Sequence, residues 1–101
     1  MAFVRVCEVA ELPKPGAMQV VEAAGRKLCL VGTEQGWRAI GDECPHRGAP
    51  LHEGTLEGGK VMCPWHAWAF DLETGEADHD RSVRVKTFAV RVQEGSVEVE
   101  V

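Results

Sequence analysis

The sequence predicts an all-β protein, a small antiparallel sandwich or barrel with a loop-rich lobe inserted at about residues 41–76. Three observations carry this. Apolar residues alternate with polar ones over short runs, as on strands with one buried face. Gly- and Pro-containing stretches punctuate those runs. Apolar residues at the 3.6-residue spacing of a helix persist for no more than about a turn.

Residues 3–9 read as a strand, with Val4 and Val6 on one side and Arg5 between them. The stretch LPKPG at 12–16 breaks regular structure. Residues 18–22 and 27–31 form a hairpin closed by Ala24, Gly25 and Arg26, and residues 37–40 give a third short strand. Within the lobe, Gly58 and Gly59 make a turn ahead of residues 60–62. Residues 67–70 and 73–76 suggest a second hairpin with glycine at its tight corner. A polar connection follows at 77–82. Val83 and Val85 then alternate with Arg84 and Lys86, whereas Phe88, Val90 and Val92 alternate with Ala89 and Arg91. The apolar set changes parity near Thr87, as a residue inserted at a β-bulge would make it do. After a turn at 93–96, Val97, Val99 and Val101 alternate with Glu98 and Glu100. With no repeat and no linker, residues 1–101 are expected to form a single domain.

The composition, 45% hydrophobic and 27% charged, is that of an ordinary globular protein. A formal net charge of -5 and the lack of a basic run argue against nucleic acid as a partner. The N-terminus has no cationic start leading into an apolar run, and no apolar stretch is long enough to cross a bilayer, so the expectation is a cytoplasmic protein with no membrane partner. Of four cysteines, Cys7 and Cys29 lie inside expected strands and read as small buried side chains rather than halves of a disulfide framework.

The chemistry is concentrated between Cys44 and His66. Two short pairs, Cys44-Pro-His46 and Cys63-Pro-Trp-His66, are separated by the sixteen residues 47–62. Each sits on a Pro- or Gly-rich loop, in ECPHRGAPLHEG and VMCPWHAWAF. Two thiolates and two imidazoles from two loops suit one metal centre. Thiolate donates electrons more strongly than neutral imidazole, so two thiolates can hold one iron and two imidazoles the other in an asymmetric 2Fe–2S cluster. A zinc ion on the same four residues is the alternative, in a zinc-bearing binding domain. Zinc loops usually space their ligands C-x(2–4)-C or H-x(3–5)-H, and C-x-H is tight for one tetrahedral ion.

The pattern C-x-H, sixteen residues, C-x-x-H, with proline after each cysteine, resembles the Rieske cluster-binding motif. The resemblance runs from about residue 12 to the C-terminus, and its specific part is 44–75. It implies a β base with an inserted cluster-binding lobe at about 41–76, and one 2Fe–2S cluster. Cys44 and Cys63 are then expected on the inner iron, and His46 and His66 on the outer iron nearest solvent. Gly48 and Pro50 resemble the first loop of soluble Rieske ferredoxins, where tight backbone points amide N–H groups at the sulfurs. Trp68, Phe70, Asp71 and Gly75 resemble the strand and hairpin after the second loop.

Two departures from the respiratory-complex branch bear on function. Ala49 and Trp65 stand where that branch has a disulfide, and Trp68 and Phe70 where it has hydroxyl donors to sulfur. Without those donors the expected potential is toward the low end of the Rieske range. The resemblance thus implies a low-potential soluble electron carrier with no catalytic site of its own. It would pass single electrons from a flavin reductase to a terminal oxygenase. The alternative is the small subunit of an assimilatory nitrite reductase, with a sirohaem subunit as partner. His52 reads as a surface or loop-packing histidine, and His79 as part of a solvated connection. Trp37 and Trp68 read as structural, Trp65 as a docking residue, and Pro45, Pro50 and Pro64 with Trp65 as an apolar collar.

Overall fold

The computed structural model describes residues 2–12, 14–34, 36–45, 48–64, 68–78, 80 and 82–101. Among the described residues, ten strands run in chain order: β1 Phe3–Glu8, β2 Met18–Ala23, β3 Arg26–Thr33, β4 Gly36–Gly41, β5 Thr55–Glu57, β6 Lys60–Met62, β7 Ala69–Asp71, β8 Thr87–Phe88, β9 Val90–Gln93 and β10 Ser96–Glu100. The helical elements among the described residues are two three-residue 3-10 turns, Val9–Glu11 and Leu51–Glu53. No helix among the described residues is long and apolar enough to cross a membrane.

The strands form three antiparallel sheets, in the orders β1-β10-β9, β2-β3-β4-β8 and β5-β6-β7. The third sheet lies in the sequence between β4 and β8, within the stretch expected to form the inserted lobe. Three hairpins close through two-residue turns, Ala24-Gly25, Gly58-Gly59 and Glu94-Gly95, with φ positive at both residues of each. That backbone matches the twist of the flanking strands, which holds each hairpin in register.

β3 is the organising strand. Leu28, Cys29, Leu30 and Val31 are all at most 1% exposed, because both faces of β3 are covered. On one face Leu28 and Leu30 pack with Cys7, Val21, Ala39, Val97 and Val99 in a core against the β1-β10-β9 sheet. On the other, Cys29 and Val31 pack with Ile40 and the lobe. The two cores share one sheet as their dividing wall. Cys7 and Cys29 are buried and free, as expected of small core side chains.

The parity change near Thr87 has a different cause from the bulge expected there. Val83 and Val85 join the lobe core, whereas Phe88 and Val90 pack on the other. The chain passes from one core to the other between them. β8 pairs with β4 and β9 with β10, so residues 83–92 are not one bulged strand. A register shift does occur in β1, between Arg5 and Cys7.

Candidate metal centre

The site is built where β4 runs out and where β6 turns into β7. β4 ends at Gly41, and the chain forms a closed loop before the turn at Leu51–Glu53. Glu43 and Pro50 bridge its two sides. The Cys44 N–H donates to Ala49 O (2.9 Å), and the Gly48 N–H donates to Cys44 O (2.6 Å). Gly48 takes φ +77, which glycine adopts without strain. These two amides are therefore bonded to the loop's own carbonyls and hold its tight shape. The second loop is closed by the Cys63 N–H, which donates to Trp68 O (2.6 Å), so Cys63 and Trp68 flank the residues between β6 and β7.

Both cysteines point into protein. Cys44 is 1% exposed, Cys63 is 3% exposed, and both belong to the core that contains Ala49, Leu51, Val61 and Phe70. Neither forms a disulfide. The structure thus places two cysteines from two loops, neither in a disulfide, in one buried, largely apolar core. Such a donor pair suits a soft metal and fits the thiolate side of a 2Fe–2S cluster. Ala49, where the disulfide of the respiratory branch would need a cysteine, is fully buried. Phe70, at a hydroxyl-donor position of that branch, is fully buried without a polar atom. His46, His66, Trp65 and His79 lie outside the described residues. Of the collar prolines, Pro45 and Pro64 are exposed and Pro50 is half-buried.

A third thiol, Cys29, lies in the same core, and burial with the nearby Asp42 charge pushes its pKa up to about 12. At neutral pH it is a neutral thiol, so it acts as packing. Trp37 and Trp68 are half-buried and pack on the two cores, in keeping with structural roles.

Sequence reasoning passed over two residues here. Asp42 is a buried charged residue at the neck of the first loop, with both carboxylate oxygens turned to His52. Gly54 packs its Cα on the backbone of Met62, next to Cys63. The only sequence signal for Asp42 is an acid following the apolar end of a strand. Gly54 has none, because it sits in no turn motif and its φ is -83.

The model of the Rieske [2Fe-2S] domain matches residues 2–89. Ferredoxin CarAc of Metapseudomonas resinovorans is 34% identical over 99 residues, covering 96% of this chain and 92% of that protein. Apoptosis-inducing factor 3 of Mus musculus is 42% identical over 73 residues, covering 72% of this chain. This chain spans only 12% of that protein's length. Among solved structures, one of the oxygenase–ferredoxin complex of carbazole 1,9a-dioxygenase matches with a TM-score of 0.83 and 33% identity, covering 96% of this chain and 91% of that one. A chain assigned as a nitrite reductase NADPH small subunit matches in fold, with a TM-score of 0.87 at 22% identity over the full length of both chains. The chain therefore belongs to the Rieske [2Fe-2S] domain family, and its cofactor is one Rieske-type 2Fe–2S cluster.

Proposed function

We propose that this chain is a soluble, cytoplasmic Rieske ferredoxin, a single domain with its cluster lobe at about residues 41–76. It carries single electrons from a flavin reductase to a terminal oxygenase. The observation that carries the reading is the match to ferredoxin CarAc across nearly the whole of both chains. In this reading Cys44 and Cys63 ligate the inner iron, and His46 and His66 the outer one. When bound, the cluster supplies a one-electron redox centre.

The chain's own residues supply the setting. Cys44 and Cys63 hold their sulfurs in a core closed off by Leu51, Val61 and Phe70, which keep water from the thiolate side. Low local polarity strengthens the field of every nearby charge. Cys44–Ala49 and Cys63–Trp68 backbone hydrogen bonds hold each loop's shape without a disulfide. The rims at Pro45 and Pro64 remain exposed, where a partner can approach.

The test is anaerobic reconstitution with iron and sulfide, followed by reduction with an NADH-dependent flavin reductase and reoxidation by a Rieske oxygenase. A reduced protein with an anisotropic low-g EPR signal, reoxidised in step with product formation, supports the carrier. A colourless protein, or one holding a single tetrahedral ion, refutes the ligand set. Transfer to a sirohaem nitrite reductase subunit and to no oxygenase would move the assignment to the nitrite reductase branch.

A further inference from the structure

Asp42 is the buried charged residue among the described side chains, at 5% exposure. A carboxylate taken out of water must be paired and hydrogen-bonded. Both of its oxygens are committed to one residue. Oδ1 accepts the backbone N–H of His52 (2.8 Å), and Oδ2 lies 2.7 Å from His52 Nδ1. A carboxylate only accepts, so the ring must carry its proton on Nδ1. The Asp42 backbone is committed as well. Its N–H donates to Lys27 O (3.1 Å), and its carbonyl accepts the Leu51 N–H (2.7 Å).

These bonds fall at one place. Residues 42 and 51–52 are the two ends of the loop that carries Cys44 and His46, and inside them Glu43 bridges Pro50. Asp42 therefore joins the ends of the loop to each other and to the N-terminal end of β3. The His52 ring, 28% exposed, lies in a groove with Lys27, Glu43, Pro45 and Lys86, between Asp42 and solvent.

We propose that His52 is a positioning residue for the cluster, acting through Asp42. The Nδ1–H bond holds the carboxylate in place and so closes the neck of the first ligand loop. The buried charge of Asp42, two residues ahead of Cys44, makes the potential lower than a neutral side chain there would leave it. The sign follows from electrostatics, since a fixed negative charge in a poorly screened setting opposes the arrival of an electron. The inference rests on Cys44 as a ligand, and the unmodified protein tests that separately: without a Rieske EPR signal in it, the ligand set fails before this proposal is reached.

The experiment uses the reconstituted full chain with Asp42→Asn, His52→Ala and His52→Asn. It reads the midpoint potential, the g-values and the half-life of the cluster against an excess of iron chelator. Asp42→Asn is expected to raise the potential. His52→Ala is expected to shift the g-values and shorten the half-life on the order of tenfold. His52→Asn, whose side-chain amide N–H sits where Nδ1–H did, is expected to restore both. A potential at or below the unmodified value in Asp42→Asn overturns the charge role. His52→Asn behaving like His52→Ala, or His52→Ala matching the unmodified protein, overturns the positioning role. If Asp42→Asn holds no cluster, the two His52 variants decide the proposal as a whole.

Discussion

Gly54 lies with its Cα against the backbone carbonyl oxygen of Met62, so close that a Cβ built there would overlap it. Met62 immediately precedes Cys63, and Gly54 directly follows the turn that ends the first loop. The separation of the two cysteine loops is thus set in part by a backbone contact that only glycine permits.

Gly54→Ala is expected to push the Met62 carbonyl away and destabilise the protein by about 1–3 kcal/mol, the usual cost of overpacking. Because φ at Gly54 is -83, the cost is steric and not conformational. Gly16→Ala is the control, since its φ is +90 with open space around it, and only backbone strain should appear. Denaturant unfolding of both variants checks this, together with cluster content. Equal cluster retention in Gly54→Ala and the unmodified chain would show that the contact does not set the loop spacing.

The two cores predict a dissociation of stability from cofactor binding. Phe70 in the lobe core and Leu30 in the other are both fully buried. Phe70→Ala should cost about 3–5 kcal/mol and Leu30→Ala about 2–5 kcal/mol. Only Phe70→Ala opens a cavity in the core shared by Cys44 and Cys63, so it alone should speed cluster loss and alter the visible spectrum. Matched effects of the two substitutions on the spectrum would argue against separate cores.

Cys29 should make the fold sensitive to alkali. Its folded pKa is about 12, against 9.0 for an ordinary thiol, with burial the larger cause and Asp42 the smaller. Below pH 9 the thiol is neutral in both states and adds no pH dependence. Between about 9 and 12 the unfolded chain loses the proton while the folded chain keeps it, so stability falls as pH rises. Urea midpoints measured at pH 7, 9 and 10.5 should decline less steeply in Cys29→Ala than in the unmodified protein. Parallel slopes would count against a buried neutral thiol.

At the proposed outer iron, His66→Cys should lower the reduction potential, because a third thiolate adds negative charge to the centre. Spectroelectrochemical titration of an intact cluster checks it; an unchanged or higher potential refutes the charge argument.

Much of the β framework was legible because its signals are local. Alternation places Val97 and Val99 inward and Glu98 outward, and the pairs Ala24-Gly25 and Gly58-Gly59 announce their own turns. The unbroken apolar run at 28–31 was read as a strand, but that it divides two cores was not. Likewise the alternation in residues 83–92 registered a change of face, and a bulge was the simplest local cause. The actual cause was a second core elsewhere in space. His52, read as a surface or loop-packing histidine, packs its loop through a partner ten residues away.

By itself the sequence determined the all-β class, the hairpin turns and the two Cys-Pro loops, because side-chain alternation, turn residues and ligand type act over a few neighbouring residues. Tertiary structure alone decided that Cys44 and Cys63 share one dry core, that Asp42 is clasped by His52, and that Gly54 rests on Met62. The reason is physical. Period two tells which side of a strand is apolar but not which sheet will cover it, and contacts between loops arise only once the chain has closed around them.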